Sequence, residues 1–209
     1  HMTKSMYDQL NPHGTVAKQR FVETFSGSGL DTDRWNTTLG GSGSVSMADE
    51  VDGGLLVDAS STSGGSATIN FNLIKPFSPS SSKLIYVAKI NEVGTNAFES
   101  YAGLGTINTI GGGTGSFTYL TSSNGNWQLA TTNGAWKFSA STTPAVSDTY
   151  TVFEHILQPS TVELKINGVT AMTNTDKLPD EPLQPMLGIN TSSANSKHMN
   201  ISYIEAYNT

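Results

Sequence analysis

The 209-residue chain contains no cysteine. Disulfides, cysteine-ligated zinc and thiol nucleophiles are therefore all excluded. Charge is also scarce: charged residues make up 13% of the chain, 11 Lys and Arg against 17 Asp and Glu, for a net charge of −6. The few cations are scattered, which argues against nucleic acid, whose phosphates need a basic stripe, and against an anionic membrane surface. No apolar run approaches the ~18 residues of a membrane-spanning helix. The first residues lack a basic-then-apolar secretory pattern, and His1-Met2 reads as a cloning remnant.

What the chain has in quantity is Ser and Thr, 52 together, and 21 Gly. That mixture suits many short strands joined by polar turns and leaves little material for long helices. Short β-rich runs recur about every 10 residues: Leu55-Leu-Val57, Ala67-Thr-Ile-Asn-Phe71, Leu84 to Ile90, Ser116 to Thr121, Trp127 to Thr131, Ala135 to Ser139 and Tyr150 to Leu157. Between them stand turn clusters, and three Asn-Gly pairs (Asn124-Gly125, Asn133-Gly134, Asn167-Gly168) favour the positive φ of tight hairpins. In Val162-Glu-Leu-Lys-Ile166 strict alternation turns Val162, Leu164 and Ile166 inward and Glu163 and Lys165 outward. Residues 1–20 do not alternate and hold the turn signal Asn11-Pro12-His13-Gly14, so they are expected to be a leader, with residues 21–209 as one domain.

The opening Phe21 to Trp35, with Phe25, Leu30, Asp31 and Trp35 as its markers, resembles the first strand of the concanavalin A-like lectin/glucanase superfamily. The alternating Asn200 to Tyr207, following Pro185-Met-Leu-Gly-Ile189, is similar to that superfamily's last strand. The resemblance implies an all-β fold, a two-sheet antiparallel jelly-roll β-sandwich, with Trp35 beneath the sheets. Low charge and a short leader also resemble surface modules of viral capsids and tails.

Retaining glycosidases of the superfamily carry Glu-x-Asp-x-x-Glu or Glu-x-Asp-x-Glu, because two carboxylates must stand ~5 Å apart on one face. The nearest match is Glu50-Val-Asp52, and the second Glu is missing: Gly54 or Leu55 stands in its place. Asp49, Glu50 and Asp52 read as a solvated acidic turn or as oxygen ligands of the kind a structural Ca2+ prefers. No cofactor is required. Polysaccharide lyase motifs are absent as well, and Glu154 and His155 are neighbours on one strand, so they point to opposite faces. No Gly-x-Ser-x-Gly elbow supports a serine nucleophile. His155 is accordingly a packed or surface histidine.

Sugar recognition asks for aromatic faces with amides at their edges. Tyr101, Tyr119, Asn124, Asn126, Trp127, Asn133 and Trp136 supply these types around the central hairpins. Trp127 shares its face with Leu129, and Trp136 with Phe138, so core packing stands as the competing reading for both. The sequence thus points to a module without catalytic residues, not an enzyme, that recognises a glycan or cell-surface polysaccharide at an extracellular or virion surface. The alternatives are a structural viral surface protein, docked to a capsid or tail protein or to a second copy through residues 3–20, and a divergent glycosidase or lyase. The sequons at Asn36, Asn190 and Asn200 are what so Asn-, Ser- and Thr-rich a chain produces by chance.

Overall fold

The computed structural model describes residues 19–48, 53–72, 74–91, 93, 98–106, 113–121, 124–193 and 197–209. The proposed leader, save its last two residues, and the acidic turn with Asp49, Glu50 and Asp52 lie outside these. The described residues form fifteen strands and no helix: β1 (Arg20–Glu23), β2 (Asn36–Gly40), β3 (Ser44–Met47), β4 (Leu55–Asp58), β5 (Ser66–Asn70), β6 (Ser82–Ile90), β7 (Phe98–Gly105), β8 (Thr114–Thr121), β9 (Asn124–Asn133), β10 (Trp136–Pro144), β11 (Thr151–Gln158), β12 (Thr161–Ile166), β13 (Val169–Asn174), β14 (Gln184–Thr191) and β15 (His198–Asn208).

They pair into two antiparallel sheets. One runs β13-β12-β11-β6-β15-β4-β3, with β1 also on β15; the other runs β10-β9-β8-β7-β14-β5-β2. The first and last strands pair, with Phe21 opposite Ala206. Alternation explains which side each strand buries. In β6, Leu84, Tyr86, Ala88 and Ile90 face the core, while Lys83, Ile85, Val87 and Lys89 face out. One inter-sheet core joins both layers, and each fully buried Leu, Ile or Phe contributes about 1.5–3 kcal/mol.

Trp35 is 1% exposed and takes edge contacts from Phe21, at 5.7 Å between centroids, and Phe71, at 5.4 Å. Its backbone N–H donates to Asp31 O, closing the turn that carries it there. The hairpin at Asn167-Gly168 has φ of 50° and 80°, the left-handed pair that a two-residue turn between Ile166 and Val169 needs. Asn133-Gly134 also turns the chain, with Gly134 at φ 98°. Asn124-Gly125 does not: Asn124 already pairs with Thr121, so the reversal comes before it and the Asn-Gly pair begins β9.

Candidate functional site

Residues opposite one another in register share a face, so the outer face of the seven-stranded sheet can be read as rows. One row holds Gly40, Ser66, Asn190, Glu99, Thr121 and Asn124. The next holds Thr38, Thr68, Gly188, Tyr101, Tyr119, Gln128 and Ala140. A third holds Asn36, Asn70, Met186, Gly103, Phe117, Ala130 and Phe138, and the last Gln184, Gly105, Gly115, Thr132 and Trp136.

Glycines let the rings lie down on this face. A Cβ at position 188 would lie 2.5 Å from the Tyr101 ring and hydroxyl, so Tyr101 reaches across β14 to bond Thr68 Oγ1 at 2.9 Å. Phe117 covers Gly105 and Gly115 in the same way, a Cβ there falling within 2.6 Å of its ring. Tyr101, Phe117, Ala130 and Met186 form a second apolar cluster, with Tyr119 and Trp136 packed on it. Burial pushes the Tyr101 phenol up to about 12, partly offset by the Thr68 hydroxyl.

Glu99 stands on β7, the middle strand of the seven. Its Oε1 accepts from the Tyr119 hydroxyl at 2.8 Å, its Oε2 from Asn190 Nδ2 at 3.2 Å, and its own backbone N–H donates to Asn190 Oδ1 at 3.1 Å. Burial, and then the negative charge of Glu99, hold the Tyr119 phenol above its usual range. Tyr119 also packs on Phe138 at 5.2 Å, and Phe138 stacks on Trp136 at 5.5 Å and 15°. The result is a carboxylate clamped at both oxygens beside a strip of aromatic rings. Two residues inferred from sequence, Tyr119 and Trp136, lie in it, both half-buried.

The other expected sugar contacts fall differently. Trp127 does not face outward: it is 7% exposed and packs edge-on against Phe153 at 4.7 Å, in the core between the sheets. The competing core reading holds for it because Trp127 and Leu129 share β9's inward side. Tyr101 is on the outer face but is 4% exposed. Asn133 is exposed at the hairpin next to the end of β10; Asn124 and Asn126 are half-buried, with Asn124 Oδ1 accepting from the Asn126 N–H. His155 is fully buried, its Nδ1 and Nε2 each 2.8 Å from a hydroxyl, Ser116 Oγ and Thr118 Oγ1. Among the described residues no group of three His, Asp or Glu side chains could hold a metal.

Glu99, Asn190 and Phe138 escaped the sequence reading. Glu99 had a legible signal: Glu99, Tyr101, Gly103 and Gly105 alternate with Phe98, Ser100, Ala102 and Leu104, the pattern of a half-buried strand.

No protein-family model and no curated protein sequence matches the chain. Solved structures do. The catalytic domain of an endo-1,3-β-glucanase (laminarinase) from Thermotoga petrophila superposes with a TM-score of 0.69 at 15% identity, over 91% of this chain and 98% of that one. A family 16 glycoside hydrolase for mixed-linkage glucan from Bacteroides ovatus gives 0.68 at 12%, over 88% and 98%. A Shewanella oneidensis protein described as of unknown function gives 0.65 at 15%, over 100% and 95%. None of the three comes from a virus. The expectation of a non-catalytic recognition module, and of no enzyme, is corrected by these neighbours, two of which are named for cleaving glucan. That expectation rested on the gap after Asp52, whereas the carboxylate at the middle of the sheet is Glu99, on another strand. The fold of this chain is the concanavalin A-like jelly roll of those glucanases.

Proposed function

We propose that the protein is a carbohydrate-active enzyme, cleaving or transferring glycosidic bonds of a polysaccharide laid across the outer face of the seven-stranded sheet. The observation that carries this reading is Glu99, on the central strand, with both oxygens held by Tyr119 and Asn190 beside a strip of aromatic rings that ends in the exposed Phe138. A carboxylate so aimed offers fixed negative charge to the positive charge that develops at the anomeric carbon. Tyr119 and Asn190 act as positioning residues, and Trp136 and Phe138 carry the sugar. The likeness to glucan-cleaving structures supports the substrate class. On this reading its place of work is outside the cell, where polysaccharide is met.

Two-carboxylate hydrolysis with retention needs a second acid ~5 Å from the first. Among the described residues Glu99 is the only carboxylate on this face, and the Tyr119 phenol is the titratable group bonded to it. The test is release of reducing ends from laminarin and mixed-linkage β-glucan. Glu99→Gln should lower it on the order of 10²-fold or more with the fold intact. No release by the parent protein, or equal release by the variant, overturns the proposal.

A further inference from the structure

We infer that Trp136 and Phe138 form a stacking subsite for an uncharged pyranose unit, set to one side of Glu99 on the edge strand β10. The inference rests on the glycan reading above and deepens it.

Edge strands are normally protected by charge, because their unpaired backbone invites other chains. On its outward side β10 instead carries Trp136, Phe138 and Ala140. Phe138 is 44% exposed, one of the few large apolar side chains so open to solvent. Its ring is not loose. Trp136 stacks on it nearly parallel, Tyr119 packs against it at 5.2 Å, and Phe117 lies 6.0 Å from Trp136. A rigid ring pair presented to water loses little conformational entropy when a flat apolar surface settles on it.

Tyr119 joins this strip to the carboxylate. One side of its ring meets Phe138 and its hydroxyl meets Glu99, so a chain lying on the strip runs onto Glu99 without a break. Phe138 on β10 stands three strands from β7, about 14 Å between backbones, and its ring leans back towards Glu99, 5.2 Å from the Tyr119 ring whose hydroxyl is 2.8 Å from the carboxylate. The Tyr119 ring between them makes the platform a place for sugar units away from the bond under attack, and binding energy gathered there can assist the reaction.

The chemistry of the occupant follows from charge. The outward positions of β7, β8, β9 and β10 hold Glu99, Tyr101, Phe117, Tyr119, Gln128, Thr132, Trp136 and Phe138, with no Lys or Arg. An anionic polymer would meet no cation there and one carboxylate. A neutral sugar finds ring faces for its C–H side and the Gln128 amide and Tyr119 hydroxyl for its hydroxyls.

The three tryptophans provide a direct readout. Trp35 and Trp127 are buried, so emission at long wavelength comes from Trp136. Titrating neutral gluco-oligosaccharides of increasing length should shift and shield that emission, while alginate should not. Phe138→Ala should weaken binding of the longer oligosaccharides about tenfold. Equal affinity in Phe138→Ala and the parent overturns the platform and leaves the Glu99 reading in place. Loss of affinity in Phe138→Ala, in a parent without turnover, sinks the enzymatic reading and leaves the platform. Unchanged Trp136 emission with every neutral sugar, or alginate binding as tightly, also overturns it. So does a dimer that dissociates in Phe138→Ala, which would assign the rings to a second copy of the chain.

Discussion

His155 gives the protein a built-in sensitivity to acid. It lies fully buried between the sheets, stacked 6.2 Å from Tyr86, its two ring nitrogens facing the Ser116 and Thr118 hydroxyls. Two hydroxyls suit a neutral imidazole: one donates to the bare nitrogen and the other accepts from the N–H. A protonated ring needs both to accept, and Glu154 beside it belongs to the outer side, bound to Lys83. Burial therefore lowers the His155 pKa from 6.5 to about 3. In the unfolded chain the ring takes its proton near 6.5, in the fold only near 3. Between those values the unfolded state binds more protons, so stability rises with pH through the window and is lost as pH falls through it. The ceiling is large: at 1.36 kcal/mol for each pH unit, the gap amounts to about 5 kcal/mol, comparable with the whole stability of many domains. Urea unfolding followed by tryptophan fluorescence at pH 7, 6, 5 and 4 measures the slope. His155→Gln should be less stable at pH 7 but flatter below pH 6, losing about 1 kcal/mol less per pH unit than the parent. Identical slopes, or a His155 resonance titrating near 6.5, would refute the reasoning.

Three further outcomes are expected. Trp127→Ala should cost about 3–5 kcal/mol by leaving a core cavity, while Trp136→Ala, on the half-buried face, should cost well under half of that; equal losses in urea melts would contradict the two placements. Gly188→Ala should lift the Tyr101 ring off β14, break its bond to Thr68 and destabilise by about 1–3 kcal/mol. Ultraviolet titration would then show the Tyr101 phenol falling from about 12 towards 10, and a variant as stable as the parent would count against the close fit.

Several features of the protein were written in residue order alone. A period of two in β12 sets which side chains are apolar whatever lies across from them, and Asn167-Gly168 needs only its own φ preferences to turn. Scarce charge and abundant Ser and Thr were enough to point to a sandwich of short strands. The opening Phe25 to Trp35 segment and the last strand led to the fold because they are local motifs.

Trp127 and Trp136 show where local reading stops. Each shares its side of a strand with another apolar residue, Leu129 or Phe138, so alternation says they are on one side without saying which side meets the second sheet. Only the stacking of the sheets decides that, and a shift of one residue would exchange them. Glu99 and Asn190 are 91 positions apart and become partners through the β7–β14 register. Tyr119 reaches the same carboxylate through β7–β8 pairing. A site assembled from three strands exists only once backbone pairing has set their register, because each strand by itself supplies just one of its groups.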